Sequence, residues 1–325
     1  MKAAVVHDFN APPRFDDFTD PVAGDGETLV HVHAAALSQL VRSQAAGRHY
    51  SSGTTLPFVP GVDGVGHLPD GSRVYFAFPR APYGSMAQTT VVQRAYCVPV
   101  PDNVSDVTAA AIGNPGMSSW AALTERARFQ GGENVLINGA TGVSGRLAIQ
   151  IARHLGAGRI IATGRNATSV KGLDALGADV LIPLDAPADQ LTETFRGAMR
   201  EHRVDIILDY LWGPSAQNLL HAASGHGSGE AEPRIRFVQI GSIGGNTIDF
   251  PASVLRSSGL ELMGSGLGSV SNIGLLRAIG SVLQAVVSGG FSIDAVAVPL
   301  AEVETAWLRE SAARVVFEVC VRPRQ

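Results

Sequence analysis

The stretch Val135-Leu136-Ile137-Asn138-Gly139-Ala140-Thr141-Gly142-Val143-Ser144-Gly145 decides how the rest of the chain is read. Val135 to Asn138 read as a short buried strand. The glycine-spaced turn runs into a helix pattern over Arg146–Leu155, with Leu147, Ala148, Ile151, Ala152 and Leu155 at helical spacing. Strand, glycine turn and helix in that order are what a dinucleotide site requires. The turn must be tight, the backbone must approach a pyrophosphate closely, and the helix must open with free N–H groups aimed at that anion. In the usual glycine fingerprint the first position is glycine. Here it is Ala140, and only Gly142 and Gly145 match.

Working outward, Arg159–Thr163 reads as a second strand ending in Gly164-Arg165-Asn166. A ribose-binding carboxylate is expected about 20 residues past the fingerprint. Arg165 stands at that distance from Gly145, with no carboxylate nearby. An acid would accept bonds from a free 2′-hydroxyl, whereas a guanidinium fork suits a 2′-phosphate. The reading is NADPH rather than NADH. Ala140, Thr141, Gly142, Val143, Ser144 and Gly145 would cradle the pyrophosphate, and Gly164, Arg165 and Asn166 the phosphorylated ribose. Lys171 is a further candidate for the 2′-phosphate.

At 325 residues the chain is comfortable for two domains. Apolar residues make up 45% and charged ones 17%, a globular and weakly charged composition. A net charge of −4 supplies no basic field, so neither nucleic acid nor an anionic membrane is an expected partner. No apolar run approaches the roughly 18 residues of a spanning helix. Met1–Asp8 reads as a strand and lacks a signal-peptide core, so the expected location is cytoplasmic. Cys97 and Cys320, without ligand spacing, are expected to be buried reduced thiols.

Residues 1 to about 112 look β-rich, with apolar runs at Thr28–Val32, Val74–Phe78 and Thr89–Val92 and one short helix over Leu37–Ala46. Pro57 to Gly66 reads as a tight turn, and Val107–Arg126 as helix. Beyond it, Val135–Asn138, Arg159–Thr163, Val180–Pro183, Ile206–Asp209, Phe237–Ile240 and Leu260–Gly264 read as strands separated by helical segments. A last long helix spans about Ile273–Val287 and a final strand Arg314–Val321. The alternation predicts an α/β Rossmann domain, a doubly wound parallel sheet. The Gly/Ser-rich insertion Ala223–Arg234 reads as a surface loop at the N-terminal edge of that sheet, with His226 solvated.

Leu-Pro-Phe-Val-Pro-Gly-Val-Asp-Gly-Val-Gly (56–66), Gly71-Ser72-Arg73-Val74, Tyr83-Gly84-Ser85-Met86-Ala87-Gln88, Ala109-Ala110-Ala111, Trp120-Ala121-Ala122-Leu123, Gly132-Glu133-Asn134-Val135, Leu176-Gly177-Ala178-Asp179, Val204–Asp209 and Arg314-Val315-Val316 follow one another in a familiar order. Together they resemble the medium-chain dehydrogenase/reductase superfamily, in its zinc-free quinone oxidoreductase (zeta-crystallin-like) branch. The resemblance implies a GroES-like β-rich catalytic domain over 1–113 and 291–325, a Rossmann domain over 114–290, and a homodimer joined edge to edge through the Rossmann sheets. It places the superfamily's three zinc-ligand positions on Ser38, Val62 and Asn114, so no metal is expected. It makes Ser38 and Tyr50 the candidate catalytic residues, with His49 as an alternative to Tyr50. Ser118 falls beside the nicotinamide amide, Gly241-Ser242-Ile243-Gly244 along the nicotinamide half, and Asp63 at a structural position. Where the branch has Asn and Asp in an Asn-x-x-Asp stretch, this chain has Ser38 and Val41.

The function so implied is NADPH-dependent hydride transfer to a small-molecule quinone. A second reading is reduction of an enone or enal double bond. A third, from another class, is a low-turnover NADPH-binding structural or RNA-associated protein, against which the low charge counts.

Overall fold

A computed structural model describes residues 1–49, 51–224, 231–309 and 313–319. The chain divides into two compact units, one of Met1–Asn114, Ile279–Ser288 and Ser292–Gln325, the other of Pro115–Ala278 and Gly289–Phe291.

In the first unit the elements are β1 (Lys2–Val5), β2 (Arg14–Asp17), β3 (Glu27–Ala36), α1 (Gln39–Ala45), β4 (Asp63–His67), β5 (Arg73–Ala77), β6 (Thr89–Gln93), β7 (Cys97–Pro99) and the start of α2 (Asp106–Ala121). Strands β1 and β2 pair antiparallel. Strand β3 pairs with both β4 and β6, and its alternating burial puts Val30 and Val32 into a core with Val74, Phe76 and Val92. The segment expected to turn at 57–66 becomes a strand in its second half. A methyl at Gly64 would meet the Ala34 carbonyl oxygen at 2.8 Å, and one at Gly66 the His31 carbonyl oxygen at 2.2 Å. These glycines let neighbouring backbone lie close. Cys97 is half-buried, not fully, and burial pushes its thiol up to about 11. Cys320 lies outside the described residues.

The second unit is built on a six-stranded parallel sheet. Its elements are β8 (Val135–Asn138), α3 (Val143–His154), β9 (Ile160–Gly164), β10 (Val180–Pro183), α4 (Ala188–Glu201), β11 (Ile206–Asp209), α5 (Gly213–Ala222), β12 (Arg234–Gln239), α6 (Ala252–Arg256), β13 (Gly259–Gly264) and α7 (Asn272–Ser288), the last running on into the first unit. The strand order β10-β9-β8-β11-β12-β13 is that of a doubly wound Rossmann sheet, as expected. Both faces of β8, β9 and β11 are covered, so every residue of these strands is buried. Helix α3 buries Leu147 and Ile151, worth about 1.5–3 kcal/mol each. It starts at Val143, three residues before the expected point.

The helix expected between β9 and β10 is absent. Residues 167–177 make consecutive turns closed by short-range bonds such as Val170 N–H to Asn166 O and Leu173 N–H to Val170 O. Gly172 (φ 82°) and Gly177 (φ 111°) hold left-handed conformations that no helix interior uses. Lys171 therefore sits on an exposed turn, not on a helix. Strands β14 (Ala295–Pro299) and β15 (Arg314–Glu318), with α8 (Val303–Leu308) between them, return to the sheet of the first unit, where β15 pairs with β3. Six of the twelve residues in the expected surface loop Ala223–Arg234, His226 among them, lie outside the described residues.

Candidate dinucleotide cradle and residues at the zinc positions

The C-terminal ends of β8, β9, β11 and β12 bring four loops together, with β8 and β11 flanking the point where the strand order reverses. Gly139 makes the first turn. It adopts φ 87°, its N–H donates to Thr163 Oγ1 at 3.0 Å, and a methyl on it would strike Leu211 at 2.8 Å. The tight-turn glycine is thus one position before Ala140, which sequence spacing alone had not identified. Ala140 is fully buried, its N–H bonded to Thr163 O.

Gly145 has no room for a side chain. A methyl there would lie 2.4 Å from Gly139 O and 2.6 Å from Ala140 Cα. Gly142 caps α3 without any side-chain bond, and its own carbonyl accepts from Arg146. The N–H groups of Val143, Ser144 and Gly145 have no hydrogen-bond acceptor among the described residues. They present the positive end of the helix dipole. Gly164 packs on the same turn, for a methyl there would touch Thr141 Cγ2 at 2.4 Å. Arg165 follows on an exposed bend. Asn166 and Ser169 cap each other, Ser169 N–H to Asn166 Oδ1 at 2.9 Å and Asn166 N–H to Ser169 Oγ at 3.0 Å. The structure gathers Ala140 to Gly145 with Gly164 to Asn166, as the sequence groups them.

Under this turn lies a buried polar network. Thr163 Oγ1 donates to Asn138 Oδ1 (2.8 Å), and Asn138 Nδ2 donates to Asp209 Oδ1 (2.8 Å) and Ser215 Oγ (2.9 Å). Asp209 also accepts from the N–H groups of Leu211 (3.0 Å) and Trp212 (3.1 Å). Burial outweighs these bonds and raises its carboxyl to about 6. Trp212 is held at φ 56°, a left-handed value costly for a bulky residue. Gly213 and Gly241 let the loops touch: methyls there would meet Gly244 O at 2.4 Å and Tyr210 O at 2.6 Å. Ser242 lines a cavity of about 390 Å³ with Trp212, Gln239, Asn246, Leu262 and Met263.

Ser118 donates to Pro115 O at 2.8 Å. Its neighbour Ser119 shares a 2.7 Å hydrogen bond with the Tyr210 hydroxyl and reaches Ser144 O at 3.3 Å. Burial pushes Tyr210 up to about 12, so it stays a neutral phenol. Sequence reasoning missed Ser119, Asp209 and Tyr210. Asp209 closing a buried strand was the one available signal.

In the first unit, Ser38 is the N-cap of α1, its Oγ accepting from Val41 N–H at 3.1 Å. Its own hydroxyl proton stays available to donate. Val62 offers no donor atom and Asn114 only an amide. These three do not suit zinc, which takes thiolate, imidazole or carboxylate. Asp63 is buried beside Tyr75 and Arg314, and burial raises its carboxyl. His49 Nδ1 lies 2.7 Å from Ser51 Oγ, and burial lowers the ring's proton affinity. Tyr50 lies outside the described residues.

Residues 144–279 match the family model for zinc-binding dehydrogenases. Positions 38, 62 and 114 lie outside that match. A probable NADPH-dependent quinone reductase of Emericella nidulans is 28% identical, over 95% of this chain and 97% of its own length. The tomato 2-methylene-furan-3-one reductase is 30% identical over 50% of this chain and only 46% of its own length. A mycobacterial quinone oxidoreductase of known structure superposes with a TM-score of 0.84 over 98% of this chain and all of its own, at 22% identity. The chain is thus similar along nearly its whole length to a probable quinone reductase and shares the fold of a solved quinone oxidoreductase. Among the described residues no helix is long and apolar enough to cross a membrane.

Proposed function

We propose that the protein is an NADPH-dependent reductase that delivers hydride to a quinone without a catalytic metal. The observation that carries this is the cradle of the second unit. Three uncapped N–H groups (Val143, Ser144, Gly145) open α3 against a turn with no room for side chains at Gly139, Gly145 or Gly164. When bound there, NADPH supplies the hydride. The backbone of Thr141 to Gly145 would hold its pyrophosphate, Arg165 its 2′-phosphate, and Gly241 and Ser242 the nicotinamide half. Ser118 would meet the carboxamide.

Ser38, Val62 and Asn114 leave no Lewis acid at the superfamily's metal position. At these three positions a hydroxyl and an amide, with water, can meet a developing oxyanion. That favours acceptors whose reduced form is already a stabilised anion. A quinone gives a delocalised phenolate, which water protonates. A simple ketone would give an alkoxide with nothing strong to hold it. In this reading Ser38 donates a hydrogen bond to the substrate and Tyr50 a proton. A homodimer through β13, an edge strand of its sheet with Leu262 40% exposed, is part of the proposal.

The tomato relative favours a second reading, reduction of an activated carbon–carbon double bond. Steady-state NADPH oxidation with a panel of quinones, enones, enals and ketones separates them. Quinone turnover well above that of enals, with ketones negligible, is expected. Enals outpacing every quinone would replace the first reading with the second.

A further inference from the structure

Tyr210 directly follows β11, and its backbone and side chain reach different parts of the second unit. Its N–H donates to Asn138 O, at the end of β8, across 3.0 Å. Its carbonyl oxygen would stand 2.6 Å from a methyl on Gly241, so the segment after β12 approaches it only as glycine. Its side chain runs to α2, where the hydroxyl lies 2.7 Å from Ser119 Oγ. Ser119 is fully buried and also lies 3.3 Å from Ser144 O, in the first turn of α3. One tyrosine therefore ties together the turn after β8, the loop after β12, the serine pair of α2 and the opening of α3.

The direction of these hydrogen bonds follows from what each atom can do. A carbonyl oxygen only accepts, whereas a hydroxyl accepts and donates. Ser118 gives its proton to Pro115 O at 2.8 Å. Ser119 has two carbonyl acceptors for its own, Pro115 O at 3.4 Å and Ser144 O at 3.3 Å. Among the described residues the Tyr210 phenol has no carbonyl acceptor, and burial keeps its proton in place. Tyr210 is thus the donor to Ser119, and Ser119 passes its proton on to the carbonyls. Ser118, its proton already given away, turns only lone pairs to a ligand. Those accept from an amide N–H such as that of a carboxamide.

We propose that Tyr210 is a positioning residue: through Ser119 it fixes Ser118 against the first turn of α3, and so sets the span between the pyrophosphate and the carboxamide of the bound cofactor. This inference rests on the NADPH reading of the cradle. Helix α3 is held by its own buried face, Leu147, Ala148 and Ile151 among it. Loss of the phenol hydroxyl therefore leaves the cradle in place and releases the serine pair. The adenosine half of the cofactor would bind as before, while the nicotinamide half would lose its register. Hydride transfer is sensitive to such a shift, since a displacement of about 1 Å can cost about 100-fold in rate.

The test titrates the full chain by calorimetry with two probes, NADPH and adenosine 2′,5′-bisphosphate, which carries the adenosine half and no nicotinamide. Tyr210→Phe keeps the ring and should weaken NADPH roughly tenfold, leaving the bisphosphate within about twofold. Ser119→Ala deletes the same bond from its other end and should act alike. The double variant should be no weaker than either single one, because both substitutions remove one shared interaction. Should Tyr210→Phe not fold, Ser119→Ala carries the comparison of the two probes. Equal weakening of both probes marks a purely structural bond and would overturn the proposal. Weakening of neither probe, or fully multiplicative effects of the two substitutions, would do the same. A wild-type chain that binds neither probe would instead bring down the NADPH reading, and this inference with it.

Discussion

Asn138 and Asp209 stand side by side at the ends of adjacent parallel strands, and the amide donates to the carboxylate across 2.8 Å in a fully buried setting. The pair ties the turn that leaves β8 to the loop that leaves β11. Its charge is expensive where it sits. Asp209 has a folded pKa of about 6, against about 3.9 for an unfolded aspartate.

A pH dependence of stability follows. Between about pH 4 and 6 the folded state holds more protons than the unfolded one, so stability falls as pH rises through that window and levels off above it. The loss is at most on the order of 3 kcal/mol. Asp209→Asn should flatten that slope in urea unfolding followed from pH 4 to 7. An unchanged slope would show that Asp209 does not titrate there.

Gly145→Ala forces a methyl to 2.4 Å from Gly139 O. The start of α3 must shift, at a cost of about 1–3 kcal/mol in stability. NADPH affinity should fall at least tenfold, because the three N–H groups move with the helix. Isothermal calorimetry and a thermal melt on one preparation would read both.

Arg165→Ala should weaken NADPH by roughly 10- to 150-fold, the loss of one charge-assisted hydrogen-bonded contact of about 1.5–3 kcal/mol. NADH affinity should barely move. If wild-type protein binds NADH as tightly as NADPH, Arg165 does not read the 2′-phosphate.

Turnover should survive chelation. NADPH oxidation with a quinone, measured before and after exhaustive treatment with a chelator, is expected to stay within about twofold, because Ser38, Val62 and Asn114 give zinc no suitable donors. Loss of activity restored by zinc would contradict the metal-free reading.

Arg236 tests the packing of the Rossmann unit. It is buried on β12, pairs with Glu133 and donates to Ala127 O at 2.7 Å. Glu133→Ala strands this guanidinium and should cost about 3–5 kcal/mol in denaturant midpoint analysis. A cost under about 1 kcal/mol would mean that water reaches Arg236.

Much of the Rossmann sheet was legible because its strands are unbroken apolar runs. Val180–Pro183 and Ile206–Asp209 fall where the run lengths put them. Elements that rely on partners rather than on their own pattern were harder to see. Strand β2, Arg14-Phe15-Asp16-Asp17, is mostly polar and exists through its pairing with β1. Strand β4 hid behind Gly64 and Gly66, whose reason is contact with backbone 30 residues or more away in sequence. In the cradle, Gly142, Gly145 and Gly164 announced themselves locally while Gly139 did not, and the Thr163–Asn138–Asp209 network joins three strands and has no local signature. The role of Ser38 as the cap of α1 likewise depended on which turn of backbone its hydroxyl faces.

The turn after β8 also bears on how such a motif drifts over generations of substitution. Space, not lettering, constrains it. A methyl at Gly142 would meet nothing nearer than Gly139 O at 3.8 Å, while one at Gly139 or Gly145 collides at once. Neutral variation can therefore erase the middle glycine, and has room to place a side chain at position 140, without disturbing the turn. A lineage could lose most of the familiar spelling and keep the bend, whereas one change at either outer glycine would force the bend to shift.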